Sequence, residues 1–326
     1  MHDVARMAGV SQMTVSRVMR GTGYISKNVR DQVLKSARQI GYIHNRLAGG
    51  NPAYDNPLVG VIVPTLTNRV FTEVLSGLSE TFDRSGLRPV FGVSEYAPET
   101  EEELVFDLLS WRPRGLILPG LEHSPAVRQI IERTGVRVAE IMDSDGDPIS
   151  ACFGFSHRAA GRDMAHHMIA KGYRRFAFVA GQGGADLRAN KRFEAFSAVV
   201  AEAGASVLDR VMSPDPSSMV EGRRMTAKLL SRSETPDAIY YANDELAAGG
   251  LMHCLAEGIG VPHDVALAGF NGLEFLGSLP AQITTTSTPR YDIGVAAAIW
   301  IARVDGASEV VRRVDFKTFV TPGTTT

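Results

Sequence analysis

The chain has 326 residues, which is enough for about two domains because a single hydrophobic core rarely grows past roughly 250 residues. Hydrophobic residues make up 44% of it and charged residues 21%, no apolar run approaches the ~20 residues that cross a bilayer, and the first residues lack the apolar segment of a signal peptide. The two cysteines, Cys152 and Cys254, are too few for a disulfide framework, so we expect reduced thiols in a cytoplasmic protein.

The first 50 residues differ in charge from the rest of the chain. They contain eight Lys or Arg against two Asp, a net charge of +6, so the remaining residues carry −8 within the total of −2. A basic N-terminal segment on an acidic body predicts a polyanion partner for that segment alone. Charge alone is equally compatible with a solvated surface.

Three short helices are predicted in this basic segment. Gly9 ends the first helix, Ser11 is a suitable N-cap for the second, and Ser26 is a suitable N-cap for the third, which Gly41 ends. The apolar positions fall at helical spacing in the first and third helices: Val4, Ala5, Ala8, Val29, Val33, Ala37 and Ile40. Two helices joined by a tight glycine turn and braced by a third are typical of a helix-turn-helix domain.

The second of these helices, from Ser11 to about Met19, carries the predicted DNA contacts. The start of such a helix meets base edges in the major groove, so Gln12, Met13 and Arg17 are the expected base readers, with Arg17 suited to guanine. The hydroxyl groups expected to face phosphates are those of Ser11, Thr14, Ser16, Ser26 and Tyr42. Thr14 and Ser16 are also compatible with capping or solvent exposure.

A change of composition separates this segment from the body. Residues 45–57, NRLAGGNPAYDNP, have linker composition, so we predict a DNA-binding domain over 1–44, a hinge over 45–57 and a body over 58–326. In the body, short apolar runs alternate with helical patterns, which predicts parallel sheets covered on both faces. The runs are LVGVIVP (58–64), RGLILPG (114–120), RVAEIMD (137–143), FAFVAG (176–181), AIYYAND (238–244) and VALAGF (265–270).

The N-terminal motif DVARMAGVSQMTVSRVM, together with Gly41-Tyr42 and Asn45-Arg46, resembles the DNA-binding domain of the lactose-repressor (LacI/GalR) family of transcription regulators. VGVIVP, GLILPG, KGYRRFAFVAG, Asn243-Asp244 and VALAGFN follow in the order and spacing of that family. The resemblance implies an α/β fold in which the body is a periplasmic-binding-protein-like pair of lobes, about 58–156 with 291–320 and about 157–287, crossed by three strands. It also implies a homodimer that binds palindromic operator DNA and a small effector in the cleft.

The resemblance assigns further site residues by position. Asn45 and Arg46 join the DNA-binding set. The effector-binding set is Asn68, Arg69, Phe71, Asp143, Arg188, Asn243, Asn271, Thr288 and Arg290. Asn243 is equally compatible with capping the helix that follows it, and Phe71 with packing in the core.

The chain departs from the family pattern in the hinge and near the first crossover. Gly49, Gly50 and Asn51 stand where the family has arginine, a variable residue and a leucine that inserts into the minor groove, and Pro52 follows at once. Such a sequence predicts a weak hinge helix. In the body, Ser156-His157 replaces the usual Asp-Asn pair.

The sequence thus predicts a ligand-responsive transcription regulator that acts as a repressor, with no cofactor or metal. TLTNRVF (65–71), LPGLEHSP (118–125), EIMDS (140–144) and STPR (287–290) resemble the gluconate-repressor branch, which favours a sugar acid whose carboxylate Arg69 and Arg290 are suited to bind. Both arginines are also compatible with surface positions.

The alternative function is that of a solute-binding protein for sugar transport. Enzyme motifs are weak: GQGGAD (181–186) and GFSHR (154–158) each lack a required glycine.

Overall fold

The computed structural model describes residues 1–20, 23–42, 56–303 and 312–326. The N-terminal domain contains three helices, α1 (His2–Met7), α2 (Gln12–Arg20) and α3 (Lys27–Gln39). Gly9 forms the turn between the first two with φ of +60°, a conformation that glycine adopts without strain. Val4, Val15 and Val33 are fully buried where the three helices meet. The predicted helix-turn-helix is therefore confirmed.

The first lobe of the body is a six-stranded parallel sheet flanked by helices. Its strands are β1 (Leu58–Val63), β2 (Arg88–Val93), β3 (Gly115–Pro119), β4 (Arg137–Ile141), β5 (Ala151–Gly154) and β11 (Arg313–Asp315), in the order β11-β5-β4-β3-β1-β2. Its helices are α4 (Val70–Ser85), α5 (Pro98–Leu109), α6 (Pro125–Thr134) and α11 (Arg290–Ala302). Gly77 and Gly294 let α4 and α11 pack closely, because a Cβ atom on Gly294 would lie 2.2 Å from the Val74 carbonyl oxygen.

The second lobe is a four-stranded parallel sheet. Its strands are β6 (Arg175–Ala180), β7 (Ser206–Met212), β8 (Ala238–Tyr241) and β9 (Ala266–Ala268), in the order β7-β6-β8-β9. Its helices are α7 (His157–Ala170), α8 (Leu187–Glu202), α9 (Met219–Leu230) and α10 (Asp244–Glu257). An antiparallel ribbon of β10 (Thr285–Ser287) and β12 (Phe319–Thr321) lies beside this sheet, bridged to it at Ala268 and Thr284.

The chain passes between the two lobes three times: after β5, after β10 and after β11. In both lobes the loops at the carboxyl ends of the parallel strands face the space between them, which is where ligands bind in open α/β sheets. The predicted two-lobed α/β body with parallel sheets is confirmed. Within the described ranges, no helix has the length and apolar character needed to span a membrane.

Candidate DNA-binding face and effector cleft

The predicted recognition helix, α2, presents its polar side chains outward. Met13 is 65% exposed and Arg17 is also exposed, whereas Val15 and Val18 on the opposite side pack into the domain core. The Ser11 hydroxyl accepts a hydrogen bond from the Thr14 backbone N–H at 3.1 Å and therefore caps the helix. These positions leave Met13 and Arg17 free to meet DNA, on a face unobstructed by the described part of the chain.

Gln12, the first expected base reader, has a hydrogen-bond partner within its own domain. Its side-chain Nε2 lies 2.7 Å from Nδ1 of His2 on α1. A base edge must therefore compete with His2 for the Gln12 amide, or be read by the amide's other atom.

The remaining predicted DNA-binding residues lie around this helix. Ser16 is half-buried, and the Ser26 hydroxyl caps α3 by accepting the Val29 N–H at 3.4 Å. Tyr42 is half-buried against the core of the domain, and this burial raises the pKa of its phenol, which the charge of Arg112 partly offsets. Asn45, Arg46 and the whole predicted hinge sequence lie outside the described residues.

A cleft of about 390 Å³ lies between the lobes. It brings together five of the nine predicted effector-binding residues, Asn68, Phe71, Arg188, Asn243 and Asn271. Its other polar and aromatic lining residues are Tyr96, Phe155, His157, Asp186, Arg192 and Phe270. A second cavity, of about 410 Å³, continues from it past Asn68 and Tyr96 and is lined by further hydroxyl and amide groups from Thr65, Thr67, Gln182 and Ser217.

Two asparagines in the cleft are held by helix starts. The Asn243 side-chain oxygen accepts the Leu246 N–H at 3.0 Å and caps α10, and the residue also lines the cleft, so the capping role is compatible with the predicted effector contact. The Asn68 oxygen accepts the Val70 N–H at 3.0 Å, and Asn68 lines the cleft together with Tyr96. The capping bond uses the oxygen of each amide, so each NH₂ group remains able to donate.

Asp143 does not line the cleft. Its carboxylate is fully buried in the first lobe, 2.6 Å from Nζ of Lys191, which α8 of the second lobe supplies. Burial raises the pKa of Asp143, and the hydrogen bond from Lys191 opposes that rise. Lys191 also lies 2.5 Å from Glu122, so these three charged side chains connect the two lobes beside the cleft.

Arg290 and Thr288 hold the second crossover together and lie outside the cleft lining. The buried Arg290 guanidinium donates to the Asn271 carbonyl oxygen, to the Thr288 hydroxyl at 2.6 Å and to Glu73 at 2.7 Å. Because Glu73 already neutralises its charge and Arg290 does not line the cleft, Arg290 is not placed to bind a ligand carboxylate, which differs from the expectation from the sequence.

Arg69 lies at the outer rim between the lobes. Its side chain is 67% exposed, 3.7 Å from Glu245 at the start of α10, and 5.7 Å from the centre of the Phe275 ring. Arg69 therefore connects the two lobes at the surface. It is not among the residues that line the cleft.

Arg188 is the predicted arginine that does line the cleft. Its Nε donates to Asp186 at 3.3 Å, and its guanidinium lies 5.9 Å from the ring centres of both Phe71 and Tyr96. Burial alone would raise the pKa of Asp186, but the charges of Arg188 and Arg192 outweigh it and lower that pKa. Arg188 and Asp186 thus form a half-buried ion pair.

Arg192 and His157 are cleft residues that the sequence analysis did not assign. Arg192 follows Arg188 by one helical turn on α8, and this i+4 spacing was the available signal. Its Nη1 donates to His157 Nδ1 and its Nη2 to the Ala242 carbonyl oxygen, both at 2.8 Å, and the guanidinium lies 3.9 Å from the centre of the Phe270 ring. Among the described residues, no group of three or more His, Cys, Asp or Glu side chains forms a metal site.

Comparisons with known proteins agree with this architecture. Residues 1–45 match "Bacterial regulatory proteins, lacI family", and residues 165–326 match "Periplasmic binding protein-like domain". The chain is 33% identical to the HTH-type transcriptional regulator GntR of Pseudomonas aeruginosa over 95% of this chain and 90% of that protein. It is 32% identical to GntR of Escherichia coli strain K12 over 99% and 97%. The chain belongs to the LacI family.

A solved structure shows the same relationship in three dimensions. The LacI-family transcriptional regulator from Silicibacter pomeroyi superposes with a TM-score of 0.82 at 43% identity, covering 99% of this chain and 98% of that one. This LacI-family chain is accordingly a DNA-binding transcription regulator with a ligand-binding domain, as predicted. The relatives named GntR also support the predicted placement in the gluconate-repressor branch, and these relatives are regulators and not enzymes.

Proposed function

We propose that this protein is a repressor of genes for the use of a sugar acid, with a gluconate-like effector. The observation that carries the proposal is the cleft itself, where amides from Asn68, Asn243 and Asn271 converge with an aromatic face and two guanidinium groups. Polyols are bound by such amides and aromatic faces, and a carboxylate is bound by guanidinium groups. The relatives' membership of the gluconate-repressor branch agrees with this chemistry.

The regulatory mechanism we propose is a shift between two populations of lobe closure. The ion pairs Lys191–Glu122 and Arg69–Glu245 join the lobes beside the cleft, so a ligand held by both lobes changes the free energy of closure. In a homodimer on palindromic operator DNA, the spacing of the two recognition helices is fixed by the half-sites. A change in lobe closure that alters this spacing changes operator affinity.

The proposal gives each group of site residues a role. Gln12, Met13 and Arg17 read bases. The predicted hydroxyl groups around them contact phosphates, as do Asn45 and Arg46 at the start of the hinge. Asn68, Phe71, Arg188, Asn243 and Asn271 contact the effector, with Arg192 added from the structure. The domain division at residues 44 and 57, the cytoplasmic location and the lack of an enzymatic reaction belong to the same proposal.

Thermal-shift measurements against neutral hexoses and sugar acids test the effector class. A ligand present at ~100 times its dissociation constant stabilises the folded state by about 2.7 kcal/mol, which raises the unfolding temperature measurably. We expect a shift with gluconate and a smaller shift with glucose at the same concentration. Equal shifts with both would contradict the sugar-acid assignment while leaving the family assignment intact.

A further inference from the structure

Arg192 differs from the other cationic side chains around the cleft because it has no ion pair among the described residues. Arg188 is paired with Asp186 in the cleft wall, and Lys191 is paired with Asp143 and Glu122 beside it. Arg192 is 3% exposed and lines the cleft, yet no carboxylate oxygen of the described residues forms an ion pair with it. Since arginine stays protonated in proteins, the cleft wall carries one buried positive charge with no carboxylate in direct contact, and Asp186 acts on it only at longer range.

All the contacts of the Arg192 guanidinium are with neutral groups. They are the His157 ring, the Ala242 carbonyl oxygen, the face of Phe270 and the nearby Tyr240 phenol, while the Arg192 Nε–H makes no direct hydrogen bond among the described residues. A buried cation lacking a counter-ion is costly, and a ligand that supplies one gains the corresponding interaction energy.

His157 is neutral for a geometric reason. Its Nε2 lies 2.8 Å from the Met142 carbonyl oxygen, which can only accept, so Nε2 carries the proton. Its Nδ1 lies 2.8 Å from Arg192 Nη1, which can only donate, so Nδ1 is bare. Burial and the charge of Arg192 hold the pKa of His157 well below its usual value. The imidazole therefore orients Arg192 without neutralising it.

We propose that His157 is a specificity-determining residue: by giving Arg192 a neutral hydrogen-bond partner, it reserves the Arg192 charge for the carboxylate of the effector. The selected ligand class is accordingly a monoanionic open-chain polyol, and a neutral polyol of the same length is disfavoured. The inference rests on the proposed function, because it assumes that a sugar-type effector occupies this cleft. Arg192, and neither Arg69 nor Arg290, is then the carboxylate partner.

The test compares His157→Asp with His157→Asn in the full-length protein. In either variant the side-chain oxygen reaches the place of Nδ1 beside Arg192, and in both the hydrogen bond to the Met142 carbonyl is lost. The two therefore differ by one negative charge and little else. The probes are gluconate and glucitol, which have the same carbon chain and differ by a carboxylate against a hydroxymethyl group, and the readout is the ratio of their dissociation constants by calorimetry.

We expect the wild-type protein and His157→Asn to prefer gluconate, and His157→Asp to lose this preference by a factor on the order of tenfold to a hundredfold, the range of a charge-assisted hydrogen bond. Arg192→Gln, which removes the charge instead of neutralising it, gives the same loss and decides the question if His157→Asp does not fold. Equal preference for gluconate in the wild type and in both charge-changing variants overturns the inference and leaves the proposed function standing. Equal affinity of the wild type for the two probes contradicts the sugar-acid function itself.

Discussion

Arg17 is the residue on which sequence-specific DNA binding most directly depends. It is exposed on α2, one turn beyond Met13, where a guanidinium can donate two hydrogen bonds to guanine O6 and N7. Arg30 on α3 is also exposed and basic, but it lies off the recognition helix. The two residues therefore separate base reading from general attraction to phosphates.

Replacing Arg17 by Ala is expected to weaken operator binding by about 1–3 kcal/mol and to relax the preference at one base pair of each half-site. Replacing Arg30 by Ala is expected to weaken binding to all sequences by a similar factor. Fluorescence anisotropy on the operator and on variants at each position measures both effects. A loss in Arg17→Ala that is uniform over all sequences would show that Arg17 is not a base reader.

Asn243 combines a structural and a binding role, and a suitable substitution separates them. Serine is also a good N-cap, so Asn243→Ser is expected to keep the stability of the unliganded protein while removing the amide from the cleft. Asn243→Ala loses both, at a cost of about 1 kcal/mol in stability. We expect both variants to lose the ligand-induced thermal shift but to bind DNA normally, and Asn271→Ala to do the same. A normal ligand response in Asn243→Ser and Asn271→Ala rules out this site.

His123, in the first lobe, has a pKa above neutral pH. Its Nδ1 lies 2.6 Å from Glu101 and its Nε2 lies 3.4 Å from the fully buried Glu140. Burial opposes protonation, but hydrogen bonds and charge from the two carboxylates outweigh it and raise the pKa of His123 to about 9. Because the folded-state pKa lies above the unfolded value, the stabilisation is fully present below pH ~6.5 and is lost as the pH rises through about 9.

Urea unfolding of the wild type and of His123→Gln at several pH values measures this contribution. The free energy of unfolding of the wild type is expected to fall, relative to that of the variant, by on the order of 3 kcal/mol between pH ~6.5 and ~9. His166→Gln, which changes an exposed histidine, is the control and is expected to follow the wild type. Parallel curves for the wild type and His123→Gln would contradict the ion-pair role of His123.

Six of the ten described strands in the two parallel sheets were predictable from the sequence, and the other four were not. The six apolar runs of the body correspond to β1, β3, β4, β6, β8 and β9, each largely buried, as continuous apolar runs require. The sequence analysis did not assign β2, β7 and β11, which lie at sheet edges, or β5, an inner strand of only four residues. Phe91 in β2 is 48% exposed, and an edge strand with one exposed face has no continuous apolar run to mark it.

The hinge is the element whose prediction remains open, because it falls outside the described residues. Gly49 and Gly50 each cost a helix about 1 kcal/mol relative to alanine, and Pro52 removes a further hydrogen bond. Asn51 also gains little from unstacked bases where a leucine would insert into the minor groove. We therefore expect the natural protein to bend its operator less than relatives with the usual hinge.

Replacing Gly49, Gly50 and Asn51 by Arg, Ser and Leu is expected to tighten operator binding and increase the bend, within the limit set by Pro52. Circular-permutation gel shifts measure the bend angle for both proteins. A strong central kink produced by the natural sequence would contradict the weak-hinge prediction and would point to Leu47 as the inserted side chain.

At the scale of the whole molecule, the sequence predicted well which strand ends face the cleft. It predicted less well which charged side chains line the cleft. Asn68, Asn243 and Asn271 follow β1, β8 and β9, and the parallel topology alone places them together. Free and paired arginines are not distinguishable by spacing: Arg290 is occupied by Glu73 and two oxygens of the crossover, whereas Arg192 has only neutral partners. That distinction depends on contacts between residues far apart in the chain.

The central claim is that occupation of the cleft by a sugar acid changes the affinity of the N-terminal domain for a palindromic operator. The direct measurement starts by selecting the operator from a random DNA pool with the full-length protein, and then titrates labelled operator with and without saturating gluconate or glucitol. We predict that a palindrome is selected and that gluconate, but not glucitol, changes the dissociation constant by roughly 5–150-fold, the usual range of allosteric coupling. A palindrome whose affinity is the same with gluconate, with glucitol and with no ligand would contradict the account.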